Sequence, residues 1–491
     1  MPPMTVCLLT SEMMPFAKTG GLADVASALA LELTQLGMDV RPFMPLYGNV
    51  LQGPWKFQPV PQVQGVGIEL GNTKVEFSLL TSGLPGSRAR AWFIDCPQFF
   101  GRASLYTNDP DEHRRFLFFT RAVIESCQRL HFGPDIFHCN DWHAALLPLL
   151  LRTVYSWDKL FARSHSVLTI HNIGYQGVMP ASAAAELGLI AGEALLDAAD
   201  LARGIINPLM SGIKLADAVT TVSPTYAKEI CDTPLGMGMQ QALRARTDGV
   251  TGILNGVDYR IWDPRVDPEL KVHFEPADLS GKLANKYQVL AAHGLMFVRS
   301  RPLIAIVSRL TDQKGFDLLN DALPALLKQR DFNLIVLGSG EARYEKLFAT
   351  LATQYAGRVG FRAGYDEALA HLMEAGSDMF LMPSRYEPCG LNQMYSLRYG
   401  TIPIVHKTGG LADSVQHFDP ASGEGTGCVF NDFDIGAISW AINTALDWYA
   451  KPALWQRLIR NAMAQDYSWT QQIGEYEALY RRLQGKGASK A

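Results

Sequence analysis

The stretch TVCLLTSEMMPFAKTGGLADVASALALELTQLG, residues 5–37, runs from an apolar, β-branched start through paired glycines into a segment with Val25, Leu29, Leu33 and Leu36 at helical spacing. It reads as strand, Gly-rich turn and helix, with Gly37 as the stop. Gly20 and Gly21 let a ligand approach the backbone closely, and the N–H groups of a helix start favour an anion or polar hydroxyls there. Lys18 stands beside the turn. An ordinary helix start with a solvated lysine has the same local grammar, so the surroundings decide its meaning.

Working outward, the alternation continues. TVCLLTSE, VRPFMPL, DIFHCND, SVLTIHN and AVTTVSP read as strands of the first half, with LADVASALALELTQL and HAALLPLLLRTVYS as helices between them. TGILNGVDYRIWDPRVDPEL, from 251, is rich in Gly, Asp and Pro and poor in periodicity, and reads as an interdomain crossing. A second series follows, with PLIAIVSRL, NLIVLGSG, RVGFRAGY, DMFLMPS and IPIVHKTGG as strands and GFDLLNDALPALLKQ, ARYEKLFATLATQY and EALAHLMEAG as helices. The expected fold is α/β: two Rossmann-like doubly wound domains, 1–250 and 251–467, facing each other across a deep cleft. Ligands of such sheets bind beyond the carboxyl ends of the strands.

Composition narrows the function. The 491 residues are 48% hydrophobic and 19% charged, which suits a soluble enzyme of two large domains. The net charge of −4 argues against nucleic acid or an anionic membrane as partner, so an anionic ligand needs local cations. Seven scattered cysteines without a CxxC pair fit a reducing compartment. MPPMTVCLLTSEMMPFAK resembles neither a secretory signal nor a transit peptide, and no apolar run approaches a membrane span, so a cytoplasmic protein is expected.

The strand ends carry the chemistry. KTGGLAD occurs at 18–24 and again at 407–413, each time at a strand-to-helix turn but in otherwise unlike surroundings, which excludes a tandem repeat and suggests two unlike half-sites. SRLTDQKG places Arg309 and Lys314 past a strand, where two cations suit a leaving diphosphate. In SRYEPCGLNQMYSLRYG, Glu387 precedes Pro388, and Gly390 and Leu391 open a helix, so a carboxylate is held where it can accept hydrogen bonds from sugar hydroxyls. HCNDWHA invites a metal reading from His138, Cys139, Asp141 and His143, but strand alternation turns His138 away from the others and no second cluster matches, so no metal is expected. Asp141, with His171 and Asn172 of HNIGYQG, reads instead as polar lining at strand ends.

In order and spacing, SEMMPFAKTGGLADV, NDWHA, HNIGYQG, VSPTYAKEI, GILNGVD, SRLTDQKG, YEPCGLNQMYSLRYG and the second KTGGLAD resemble the bacterial glycogen synthase and plant starch synthase family, retaining glycosyltransferases of the GT-B fold. The resemblance implies transfer of glucose from ADP-glucose to the non-reducing end of an α-1,4-glucan with retained configuration, and neither metal nor cofactor. It assigns catalysis to His171, Arg309, Lys314 and Glu387: His171 by the transferred glucose, Arg309 and Lys314 on the diphosphate, Glu387 with Cys389 on the sugar. Lys18, Gly20 and Gly21 lie near the donor, and Asp141, Asn172 and Asn255 are further substrate contacts. Gly390 and Leu391 belong to the sugar-binding turn, Thr408, Gly409 and Gly410 offer N–H groups to the phosphates, and Tyr365 stacks on adenine. The first domain takes the acceptor side, and a last helix, about 468–491, crosses back to it. Without a pair of carboxylates clearly spaced for double displacement, front-face attack is favoured over a covalent intermediate on Glu387. Competing readings are a GT-B transferase using UDP-glucose or a small acceptor, a pyridoxal-phosphate phosphorylase, and a silent glucan-binding protein.

Overall fold

The structure, a computed structural model, describes residues 3–85, 87–189 and 195–488. They divide into two units, one from the described residues of 1–222, 227–253 and 472–491, the other from 223–226 and 254–471. No described helix is long and apolar enough to cross a membrane.

The strands of the first unit are β1 (Thr5–Leu9), β2 (Asp39–Pro45), β3 (Gln58–Pro59), β4 (Val66–Leu70), β5 (Thr73–Gly83), β6 (Arg90–Asp95), β7 (Ile136–Asn140), β8 (His165–Ile170), β9 (Met179–Pro180), β10 (Ile205–Ile206), β11 (Ala218–Thr221) and β12 (Val250–Gly252). The main sheet runs β12-β11-β8-β7-β1-β2-β6-β5-β3, with β4 paired to β5 and with β9 and β10 as a separate ribbon. Neighbours from β12 to β6 are parallel. From β1 the chain builds outward through β2 and β6, then returns to place β7 on the other side of β1. That reversal is a topological switch point, and it opens a crevice beyond the carboxyl ends of β1 and β7.

The second unit repeats the plan with β13 (Leu303–Val307), β14 (Asn333–Gly338), β15 (Val359–Ala363), β16 (Met379–Met382), β17 (Ile402–His406) and β18 (Cys428–Phe430), all parallel in the order β15-β14-β13-β16-β17-β18. Its switch point lies between β13 and β16. The continuous apolar runs follow from burial on both faces: NLIVLG, MFLM and IPIVH are buried throughout, and Leu303, Ala305, Ile335, Leu337 and Phe380 join one core with Leu369 and Met373 from the covering helix Glu367–Gly376. Each of the larger side chains contributes about 1.5–3 kcal/mol by leaving water.

Three local readings change. The helix expected over HAALLPLLLRTVYS shrinks to Leu147–Arg152. Asp141 has a left-handed φ of +55°, the next residues close in three-residue turns (Ala144 N to Asp141 O, Ala145 N to Trp142 O), and Pro148 supplies no N–H. The sheet is also mixed: β4 and β5 form an antiparallel hairpin whose VGIEL alternates buried and exposed, the mark of a one-sided strand. Finally, the start of the supposed crossing is taken by β12, and the units meet in sequence at 253 and 254. The helix Trp469–Ala488 belongs from Gln472 onward to the first unit, where Tyr480 Oη lies 2.6 Å from His138 Nδ1.

Candidate active site

In the first unit the polar residues gather at the ends of β1, β7 and β8. Glu12, which no sequence motif marks, is the organiser. It lies just past β1 and is almost wholly buried. Its Oε2 accepts from the N–H groups of Thr19 (2.5 Å) and Gly20 (3.1 Å), and its Oε1 from Thr19 Oγ1 and Tyr106 Oη (both 2.6 Å). The N–H groups of the first KTGG turn are thus already met by a carboxylate, which disfavours a phosphate there and suits a neutral hydroxyl ligand. A side chain added at Gly20 would meet nothing within 4 Å, so the space beside the turn is open. Gly21 begins the helix Gly21–Gln35, and Lys18 Nζ lies 3.0 Å from Asp24.

Asp141 sits beyond β7 in the left-handed conformation that Asp tolerates. Its Oδ1 accepts from the N–H groups of His171 (2.7 Å) and Asn172 (3.3 Å), fixing the end of β8. Burial raises its carboxyl to about 7, against the lowering effect of those two donors. Asn172 Oδ1 accepts from Gly174 N at 3.0 Å. His171 is held at about 3 by burial and is therefore neutral at pH 7. Because Asn140 Nδ2 donates to Leu9 O, Asn140 Oδ1 faces His171 Nε2 at 2.8 Å; that nitrogen carries the proton, and Nδ1 is the acceptor. His171 can thus receive a hydrogen bond from a sugar hydroxyl but offers no positive charge.

The two histidines of HCNDWHA face different partners. His138 is bound to Tyr480 and Thr169 within the core, His143 Nδ1 faces Ser11 Oγ at 3.4 Å, and the strand alternation used above ends at Asn140. Among the described residues no group of three or more His, Cys, Asp or Glu is placed to hold a metal.

The second unit builds its half-site at its own switch point. Lys314 ends the tight turn Asp312–Lys314 after β13, and Glu387 follows β16; Nζ and Oε2 are 2.6 Å apart. Ser384 Oγ also donates to Oε2 at 2.9 Å, so Oε1 is left for a ligand hydroxyl. Gly315, with φ +71°, is required here because a side chain would sit 1.9 Å from Pro383 O. Asn392 Nδ2 donates to Val307 O at 2.9 Å, tying the helix Asn392–Arg398 to the end of β13. Leu391 precedes that helix, and Gly390 turns into it with φ +70°.

Arg309 stands exposed after β13, and Tyr365 lies exposed after β15 with its hydroxyl against Glu367. Cys389 is buried beside Asn255, and burial raises its thiol to about 12. Asn255 is itself buried, and its Oδ1 lacks a hydrogen-bond partner. The second KTGG turn presses on this same loop: added side chains at Gly409 and Gly410 would lie 1.9 Å from Glu387 O and 2.1 Å from Cys389 O. Gly410 N donates to Glu387 O (3.1 Å) and Pro388 O (3.2 Å), so this N–H serves the loop rather than a ligand. Thr408, buried, precedes the helix Gly409–Ser414.

Two Rossmann-like units, each with its polar residues collected at the switch point, define a GT-B glycosyltransferase. Residues 5–245 match the family described as starch synthase catalytic domain, and residues 296–464 match glycosyl transferases group 1. A glycogen synthase of Syntrophotalea carbinolica is 41% identical over 98% of this chain and 99% of its own, and one of Anaeromyxobacter dehalogenans 42% over 98% and 100%. The solved catalytic domain of starch synthase IV from Arabidopsis thaliana, bound to ADP and acarbose, superposes with TM-score 0.91 and 33% identity over 98% of this chain and all of that one. Sucrose-phosphate synthase from Thermosynechococcus elongatus, 18% identical with TM-score 0.62 over 98% of this chain and 99% of its own, shares the fold. The chain belongs to the glycogen synthase and starch synthase family, and it is a glucosyltransferase.

Proposed function

We propose that the protein transfers glucose from ADP-glucose to the non-reducing end of an α-1,4-glucan, with retention of configuration and without a metal or cofactor. The observation that carries this reading is the Lys314–Glu387 pair at the second unit's switch point, a cation beside a sugar-directed carboxylate. The related Arabidopsis catalytic domain was solved with ADP and acarbose bound; its ADP supports the nucleotide, and its acarbose supports a glucan.

Lys314 and Arg309 neutralise the charge that grows on the diphosphate as the bond from C1 to the phosphate oxygen breaks. In the second unit Glu387 Oε1 receives a hydroxyl of the transferred sugar and orients the ring; in the first unit His171 Nδ1 can receive a sugar hydroxyl. The acceptor's 4-hydroxyl forms the new bond to C1 on the face the phosphate leaves, and its proton passes to the departing phosphate oxygen. No carboxylate is needed as nucleophile. Glu387 is poorly placed for that role because its Oε2 is bound to Lys314 and Ser384. A reducing, cytoplasmic setting is supported by seven free cysteines, six of them buried. Initial rates with ADP-glucose and UDP-glucose at equal concentration, with glycogen as acceptor, test the proposal. A clear preference for ADP-glucose is expected, and a preference for UDP-glucose overturns the donor assignment.

A further inference from the structure

The stretch WDPRVD, residues 262–267, follows the point where the two units meet in sequence and belongs to the second unit. Trp262, Asp263 and Asp267 are buried there. All three touch the helix Asn392–Arg398 or its cap residue Tyr399, the helix that follows the turn carrying Glu387.

That helix is only seven residues long, about 10 Å at 1.5 Å per residue, too short to hold its own place. Four side chains at its far end are instead bound from outside. Tyr395 stacks on Trp262, with ring centroids 3.9 Å apart and planes 2° apart. Ser396 Oγ donates to Glu374 Oε2 at 2.7 Å, Arg398 Nη2 to Asp263 Oδ2 at 2.5 Å, and Tyr399 Oη to Asp267 Oδ2 at 2.5 Å. At the near end Gln393 Nε2 donates to Cys389 O (3.0 Å) and Gly390 O (2.9 Å), which carries the helix's placement into the turn beside Glu387.

Asp267 is central to these contacts. It is wholly buried and meets three donors: Oδ1 accepts from Glu269 N at 2.9 Å, and Oδ2 from His371 Nδ1 at 2.8 Å as well as from Tyr399. The His371 ring in turn stacks on Trp262 at 3.6 Å, so the indole is sandwiched between His371 and Tyr395. Burial opposes a charge on His371, but hydrogen bonds to Asp267 and Glu367 raise its value from 6.5 to about 9, and the resulting imidazolium is attracted to the indole face. Asp267 therefore reaches the helix by two routes, directly at Tyr399 and through His371 and Trp262 at Tyr395. Apolar side chains of similar volume would serve stability as well. Hydrogen bonds add preferred lengths and directions, which fix the rotation and register of the helix.

We propose that Asp267 is a positioning residue for glucosyl transfer: by fixing the helix Asn392–Arg398 it sets the place of the Glu387 carboxylate. This rests on the sugar-directed role proposed above for Glu387. Arg309 and Lys314 follow β13 on a different loop, so ADP, which lacks the sugar, reports a part of the site that the helix does not carry.

The test compares full-length wild type, Asp267→Asn and Tyr399→Phe. Tyr399→Phe removes one hydroxyl and keeps the ring in the core, so it carries the test alone if Asp267→Asn does not fold. Both variants are expected to lower kcat about 10-fold and to bind ADP within about 2-fold of wild type by calorimetry. Amide hydrogens of 387–394 should exchange about 10-fold faster than in wild type, with those of β14 unchanged. A kcat equal to that of wild type overturns the positioning role. So does a loss of ADP affinity as large as the loss of kcat, which is what general loosening of the unit would give. A wild type that transfers no glucose overturns the catalytic reading instead; exchange at 387–394 then decides, faster exchange in Tyr399→Phe upholding the hold on the turn and equal exchange overturning it.

Discussion

Lys314 Nζ lies 2.6 Å from Glu387 Oε2, joining the two strand ends at which the strand order of the second unit's sheet reverses. Glu387 is buried and Lys314 partly so, and each orients the other. Replacing either with Ala is expected to lower kcat at least about 100-fold, the loss of some 2.7 kcal/mol of transition-state stabilisation, with the circular dichroism spectrum unchanged. The double variant should fall little further than the worse single one, because groups acting as a unit are not additive. Steady-state kinetics on the three variants checks this, and losses that multiply would show that the two act separately.

The two KTGGLAD copies differ in what their glycines do. Gly409 and Gly410 lie against the backbone of Glu387 and Cys389, and a methyl group has no room there. Gly409→Ala and Gly410→Ala should each destabilise the fold by about 3 kcal/mol or more. Gly20 is extended, with open space beside it, so Gly20→Ala should cost less than about 1 kcal/mol in stability yet reduce turnover by projecting into the ligand's space. Denaturant midpoints set beside initial rates distinguish the two kinds of glycine.

The lysines of the two copies should differ as well. Lys18 is partly buried and paired with Asp24, whereas Lys407 is exposed and the matching Asp413 accepts instead from Thr225 N and Oγ1 at 2.8 and 2.6 Å. Lys18→Ala is expected to impair turnover far more than Lys407→Ala. Comparable losses would remove the asymmetry.

Asp141 gives a pH signature. Burial raises its carboxyl from 3.8 to about 7, so between those values the folded protein holds a proton that the unfolded chain has released. Its contribution is present below about pH 4 and is lost as pH rises toward and through 7. Asp141→Asn keeps a side-chain acceptor for His171 N and Asn172 N, and Asn tolerates the left-handed backbone, but the variant has no proton to lose. Relative to wild type it should gain stability from pH 5 to pH 8, read as a shift of the urea midpoint. A difference independent of pH would contradict the buried, titrating carboxyl.

The sequence made the parallel strands legible because burial on both faces demands continuous Val, Ile and Leu runs, and it marked the strand ends by their Gly, Lys, Asp and Glu residues. The β4–β5 hairpin was harder to see: it is half exposed, and its alternating VGIEL and TKVEF segments carry less apolar signal than a buried run. The helix after β7 was overread because apolar residues from Ala144 to Leu151 have no strict period, and Asp141's left-handed turn depends on its tertiary bonds to β8. Glu12 was missed because a carboxylate seven residues before Thr19 gives no periodic signal. Its position just after an apolar strand, as for Asp141, was the available clue. The meaning of the second KTGG was hidden for a different reason. Its glycines are set by close packing on a loop some 20 residues earlier, which spacing alone does not reveal.

The most direct test of the account is to incubate wild-type protein with ADP-glucose labelled in the sugar and unlabelled glycogen, and to digest the product with β-amylase, which removes maltose from non-reducing ends by cutting α-1,4 bonds. Label is expected to enter the polymer, to be absent with Lys314→Ala and Glu387→Ala, and to be released by β-amylase as maltose. Failure to incorporate label, or label that β-amylase leaves in the polymer, would contradict α-1,4 transfer from ADP-glucose.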